Sequence, residues 1–208
     1  MVREHTMTDK PGVQAHRQAG FTLVELMIVC VIAAIVMVWG IPSYREMVQN
    51  QQRDAALFDL IADLNLARSE SLKRGTSVTL CKSSSGTACA TGSTGYETGW
   101  IVFTDLQALG PPGTLDIDGS EPDETLLRNH PAPAGTLTIR GNNNVQNRVT
   151  FNPNLRVKTN GTLVVCDARG ASYARAVVID TVGRVRSGSD SDNNGIVEGQ
   201  NGSNVTCP

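Results

Sequence analysis

Aromatic residues make up only 4% of the 208 residues, and there are three histidines. Two of these, His5 and His16, fall within the first twenty positions, so a chain shortened there keeps only His130, between Asn129 and Pro131. One histidine cannot build a His-rich metal site. No two cysteines have the C-x-x-C spacing of zinc or redox centres, and the G-x-S-x-G nucleophile motif is missing. No internal repeat occurs. These absences leave an enzyme without its acid, base or metal, so no catalytic residue, metal site or cofactor is assigned. Charge is also scarce in one place: from Phe21 to Gly40 the only charged side chain is Glu25.

That run, followed to Ile41, organises the chain. As a helix rising about 1.5 Å per residue it is about 30 Å long, enough to cross a bilayer core. A carboxylate within such a segment costs on the order of 2.5–3.5 kcal/mol at the helix centre, so Glu25 needs a partner. A plain signal anchor shares the apolar run but leaves Glu25 unexplained. A secretory signal peptide needs a shorter apolar stretch and a small-x-small cleavage site after it. The preceding segment, Met1 to Gly20, is polar and carries Arg3, Lys10 and Arg17, which place it on the cytoplasmic side by the positive-inside rule.

Gly20-Phe21-Thr22-Leu23-Val24-Glu25-Leu26-Met27-Ile28-Val29 resembles the class III signal and N-terminal helix of type IV pilins and type II secretion pseudopilins. The resemblance implies cleavage between Gly20 and Phe21 by a prepilin peptidase of the inner membrane, and N-methylation of Phe21. It also implies that Glu25 acts in assembly, by meeting the terminal amine of a neighbouring subunit. Residues 1–20 are then a leader that is removed, and 21–41 a transmembrane helix that becomes filament core. Residues 42–208 form a periplasmic body, with an amphipathic helix over 43–74 and a β domain over 76–208. Pro42 is expected to kink or loosen the helix, since it removes one hydrogen bond and crowds the preceding turn.

In the body, Leu57, Ile61 and Leu64 step by four and three, with Leu60 and Ala67 widening the stripe, which predicts a core-facing helix. Arg45, Gln49, Arg53 and Asp63 are expected on its polar surface. Lys73 and Arg74 precede Gly75, a C-cap. Beyond it, strands are predicted at Ser77–Cys81, Trp100–Asp105, Thr136–Arg140, Arg148–Phe151, Thr162–Cys166, Ala174–Asp180 and around Arg184–Arg186. Loops fill Lys82–Thr98 and Leu106–Asp123, the latter the least ordered internal segment. Of five cysteines, Cys30 lies in the apolar run. Cys81, Cys89, Cys166 and Cys207 form an even set that suggests two disulfides and an oxidising compartment. Three pairings are open, and Cys81–Cys89 with Cys166–Cys207 is favoured: the first staples a short loop, the second ties the tail to a strand.

Leu66-Ala67-Arg68-Ser69-Glu70, Lys73-Arg74-Gly75, Val78-Thr79-Leu80-Cys81, Gly99-Trp100-Ile101-Val102-Phe103 and Gly183-Arg184-Val185-Arg186 resemble the GspH/FimT branch of minor pilins and pseudopilins. The resemblance implies an α+β fold, a long N-terminal helix packed on antiparallel β-sheets. It further implies a minor pilin of a type IV pilus, FimT/FimU-like, in the filament or at its tip. The alternatives are a GspH-like minor pseudopilin of a type II secretion system and, in another class, a DNA-binding module for DNA uptake. Expected partners are other pilin subunits, the prepilin peptidase, the inner membrane and, for the last alternative, DNA.

Charge bears on that alternative. From Arg128 to Arg186 nine bases face two acids, a local excess of seven. Arginines sharing a face would hold phosphates without sequence readout. Arg184 and Arg186 alternate on a predicted strand and are the candidates, although a structural role for Gly183–Arg186 is the favoured reading. Asp190-Ser191-Asp192-Asn193-Asn194-Gly195 resembles the start of a calcium loop, but Asn201 stands where an EF-hand needs a glutamate. Glu198 is a substitute ligand only in another geometry, and a solvated acidic turn is preferred. Asp116-Ile117-Asp118-Gly119 is a weaker match.

Overall fold

The computed structural model describes residues 20–106, 115, 124–142, 144–154 and 160–208. The chain forms two compact units, divided between Tyr44 and Arg45. Helix α1, Leu23–Arg74, contributes to both. Pro42 lies inside it, and the two predicted helical stretches on either side are one element. Proline costs the helix one N–H donor, and the other backbone bonds carry the chain across.

In the first unit the large apolar side chains, from Phe21 at 83% exposure to Tyr44 at 68%, are exposed. In the second, the predicted stripe is buried: Leu57, Leu60, Leu64 and Ala67 enter the core, with Ile61 packed at its margin. Gly75 follows the last turn with φ 68°, a conformation that a Cβ strains, and its N–H bonds the Ser71 carbonyl at 3.0 Å.

Eight strands follow: β1 Ser77–Lys82, β2 Gly99–Asp105, β3 Leu126–Pro131, β4 Thr138–Gly141, β5 Arg148–Phe151, β6 Gly161–Cys166, β7 Arg175–Ile179 and β8 Val185–Ser187. They form two four-stranded sheets of order β3-β2-β1-β5 and β4-β6-β7-β8, antiparallel throughout. This is the expected α+β fold. Strand β3 was not foreseen. Its residues are mostly exposed, it ends in Pro131 and it lies at a sheet edge, so no alternation betrays it. The expected loop Leu106–Asp123 lies almost wholly outside the described residues.

One core joins the helix to both sheets, with Leu60 and Leu64 among Val78, Leu80, Trp100 and Val102 of the first and Ile139, Leu163, Val177 and Ile179 of the second. Two helix residues expected at the surface are buried instead. Asp63, 3% exposed, accepts from the indole Nε1 of Trp100 at 2.8 Å and meets Arg128 at 3.2 Å. Arg53, 2% exposed, donates to the Tyr173 carbonyl at 2.7 Å and pairs with Asp54. Both satisfy polar groups at the helix–sheet seam, where an unpaired group would cost about 1–3 kcal/mol. His130 stacks on Trp100 with centroids 4.0 Å apart, and its Nε2 lies 3.3 Å from Asp59.

Both disulfides are present as favoured, Cys81–Cys89 and Cys166–Cys207, and Cys30 is free. Cys81, Ile101 and Phe103 pack with Cys89 on the outer face of the first sheet. Lys82 helps to hold the loop after β1, its Nζ donating to the carbonyls of Gly92 and Thr94 at 2.7 and 2.8 Å. Burial pushes this amine below the ordinary lysine range. The chain after β8 folds back over the second sheet, where Val205, Ile196 and Val197 pack with Cys166, Ala174 and Ala176.

Candidate functional site

Helix α1 begins just after the Gly20–Phe21 bond. Thr22 caps it: the Glu25 N–H donates to Thr22 Oγ1 at 3.2 Å, and the Leu26 N–H to the Thr22 carbonyl at 3.1 Å. Gly20 and Phe21 precede the helix and are exposed. Glu25 is in the first turn, where a carboxylate is favoured by the helix dipole, and its side chain is exposed. From there every helix side chain to Tyr44 is uncharged, and the large apolar ones are exposed. This helix is long and apolar enough to cross a membrane.

The arginines predicted as a basic face are largely spoken for. Arg128 pairs with Asp63, Arg140 with Glu97, Arg169 with Asp167, Arg175 with Asp54 and Arg184 with Asp180. Asp54, Asp63 and Glu97 come from far earlier in the chain, which is why a count along the sequence overstated the charge. Arg169 also stacks over the Tyr173 ring at 4.3 Å. Burial alone would raise the Glu97 carboxyl, but the Arg140 guanidinium and the N–H groups of Ile139 and Gly95 outweigh it and hold it below the ordinary range. Arg156 and Lys158 lie outside the described residues. Arg148 and Arg186 have no acid partner among the described residues.

Arg184 precedes β8 and closes a turn. Its Nε lies 3.0 Å from Asp180 Oδ2 and its N–H 2.9 Å from Oδ1, with Gly183 between them at φ 71°. Burial raises the Asp180 carboxyl and these bonds lower it further, leaving it below the ordinary aspartate range. Arg186, on β8, shares a shallow groove with Asp192 and Glu198 of the tail. The two arginines therefore have different surroundings: one fixes a turn, the other is flanked by acids.

Carboxylate oxygens of Asp190, Asp192 and Glu198 lie within 4.8 Å of one another. Backbone donors hold them: Ser191 and Asp192 N–H on Glu198, Asn194 and Gly195 N–H on Asp190. The Ser191 bond foremost keeps Glu198 below the ordinary carboxylate range. Glu198 does join Asp190 and Asp192 in the acidic turn. The Asp116–Gly119 segment lies outside the described residues.

The described residues thus comprise an exposed apolar helix, long enough to cross a membrane, and a body of one helix half and two antiparallel sheets. The family comparison says what such a chain is. Residues 57–183 match the type II transport protein GspH family, and residues 15–41 match the prokaryotic N-terminal methylation motif. With more than half its length matched, the chain belongs to the GspH family, as a minor pilin or pseudopilin. No curated protein matches it. Among solved structures it is similar to the type IV minor pilin FimU of Pseudomonas aeruginosa in two crystal forms. Identity is 20% in both, with TM-scores of 0.47 and 0.46, covering 67% of this chain and 90% and 94% of FimU.

Proposed function

We propose that this protein is a minor pilin of a type IV pilus, FimT/FimU-like, made with residues 1–20 as a leader and cut between Gly20 and Phe21. Phe21 is then N-methylated, residues 21–41 anchor the chain in the inner membrane, and the body from 42 to 208 faces the periplasm. On leaving the membrane the helix enters the filament, where apolar faces of neighbouring subunits replace lipid. Glu25 pairs there with a neighbour's terminal amine, a match most valuable where neither group has water. The observation that carries this reading is the capped helix start: the scissile bond lies outside it, and the side chains beyond it are exposed and apolar.

Mass spectrometry of the mature protein tests the processing, with N-methyl-phenylalanine at Phe21 as the expected terminus. A bulky residue in place of Gly20 should leave the leader attached. An intact Met1 on filament-associated protein overturns the reading. A type II secretion pseudopilin has the same anchor chemistry, so a deletion strain is scored together for twitching, DNA uptake and secretion. Loss of twitching with secretion intact supports the pilus. Loss of secretion alone assigns the protein to the secretion system, and loss of DNA uptake alone to a DNA receptor. The ion pair of Arg184 and the acids beside Arg186 weigh against these two as a phosphate site. Binding of duplex DNA at low salt that Arg184→Gln/Arg186→Gln abolishes would reverse that judgement.

A further inference from the structure

The tail that folds back over the second sheet encloses a cavity of about 310 Å³ between itself, β6 and the end of β4. Thr162 of β6 joins the two walls. Its carbonyl accepts from the Asn142 N–H, just past β4, at 3.0 Å, and its Oγ1 accepts from the Gln200 N–H of the tail at 2.8 Å. The tail wall is fixed in turn. The Gly199 N–H bonds the Ser203 carbonyl at 2.9 Å, the Val205 N–H bonds the Val197 carbonyl at 3.0 Å, and Cys207 is tied to Cys166. Walls held in this way are shaped before a ligand arrives, which lowers the ordering cost of binding. The volume is at the lower end of ligand pockets, which span about 300–1,000 Å³.

The lining says what fits. Its one ionisable side chain is Arg140, and Glu97 already pairs with it. A charged ligand therefore finds no free counter-charge, and an ion enclosed without one is costly. Asn142, Asn201, Ser203, Asn204 and Thr206 line the cavity with amides and hydroxyls, groups that both donate and accept. All five residues are exposed. The side chains of Ser203, Asn204 and Thr206 make no hydrogen bond among the described residues, so their capacity is open. Val164, Val205 and Pro208 add apolar surface between these groups. Hydroxyl-bearing edges beside C–H faces are the chemistry of a sugar ring. A peptide strand suits the place less. Strand β4 is a sheet edge, but its Ile139 N–H donates to Glu97 Oε2 at 3.0 Å, and an added strand would have to displace that carboxylate.

We propose that this cavity binds an uncharged saccharide of one or two rings. The site uses no residue of the apolar helix, so it stands apart from how the N-terminus is processed and from which machine carries the protein.

The test uses the full-length protein in phosphocholine micelles, which carry no sugar headgroup to compete. Saturation-transfer NMR is run with diacetylchitobiose, whose N-acetyl groups stand for cell-wall glycan, and with lactose and maltose, which stand for other glycans. Transfer to at least one of the three is expected, and the one that binds identifies the source. Asn204→Ala/Thr206→Ala should weaken that binding about tenfold, the scale of two neutral hydrogen bonds. Ser203→Trp, which fills the cavity, should abolish it and leave the thermal transition of the body in place. No transfer to any of the sugars overturns the proposal, as does transfer that survives Ser203→Trp. Tighter binding of glucose phosphate than of glucose would overturn it in favour of an anion site. Tetra-alanine binding where the sugars do not would make the cavity a peptide groove and overturn it as well.

Discussion

The two halves of α1 have the same secondary structure and opposite fates. Before Tyr44 the apolar side chains are uncovered. After Arg45 a stripe of them is buried against two sheets, and Asp63 and Arg53 are buried with it. Helicity alone does not distinguish the halves. What differs is the solvent each is built for: the first relies on lipid or on neighbouring subunits, the second on its own β domain. Stability of the body and competence for assembly should therefore come apart under mutation.

The largest separation is expected in the hydrophobic positions. Leu64→Ala removes a fully buried side chain from the core and should cost about 2–5 kcal/mol of body stability. Ile32→Ala, 56% exposed in the native chain, should leave the body's thermal transition in detergent where it was. Equal shifts for the two would mean that the apolar half contributes to the stability of the body.

The disulfides sharpen the contrast within the body. Replacing Cys166 and Cys207 with serine opens a link spanning 41 residues, worth about 3.9 kcal/mol on the chain-entropy model. Opening Cys81–Cys89, which spans eight, costs about 2.6 kcal/mol by the same reasoning. Denaturant titration of the two variants should keep that order. The opposite order would assign the larger share to Cys81 and Cys89 packing against Ile101 and Phe103.

The features legible in the sequence were those with a local signal. The 3.6-residue stripe through Leu57 and Leu64 reveals the helix, β-branched runs reveal seven strands, and even cysteines outside the apolar run suggest the staples. Strand β3 left no such signal, because it is a mostly exposed edge strand without alternating apolar residues. Partners distant in the chain were also hidden: Arg128 and Arg175 read as free charge until the fold brought Asp63 and Asp54 to them. Pro42 did not show that the stretches before and after it form one 52-residue helix, since one missing donor does not end it. For Gly20, Phe21 and Glu25 only the motif spoke, and what the structure adds is the Thr22 cap.

Acid should touch the body more than the anchor, by a smaller amount. Asp167 accepts from Arg169 at 2.6 Å, and that bond, against burial, holds its carboxyl below the ordinary aspartate range. A carboxyl lowered in the folded state binds its proton more readily in the unfolded one. Its contribution is thus complete above the unfolded value of about 3.9 and disappears as pH falls through the folded value. Melting temperature measured from pH 6 downward should fall below about pH 4, and Asp167→Asn should flatten that fall. An unchanged slope in the variant would assign the acid sensitivity to other carboxylates, with Glu97 and Asp180 the next to replace.

The smallest effect on the body is expected from Glu25→Ala. The Glu25 side chain is exposed, it lies in the unit that ends at Tyr44, and only its backbone N–H is used in capping, which alanine retains. The body's transition should therefore move by less than about 0.5 kcal/mol, the range of surface substitutions. On the proposed reading its position changes meaning in the filament: the carboxylate would lie among apolar helices and pair with a neighbour's terminal amine at Phe21. Removing it would leave that amine desolvated and unpaired, which costs more than the pair itself contributes. Recovery of Glu25→Ala in sheared filaments should drop sharply while its amount in the membrane is unchanged. Glu25→Gln keeps the shape without the charge and should fail in the same way. Normal recovery of both variants would mean that the carboxylate faces lipid head groups and plays no part in assembly.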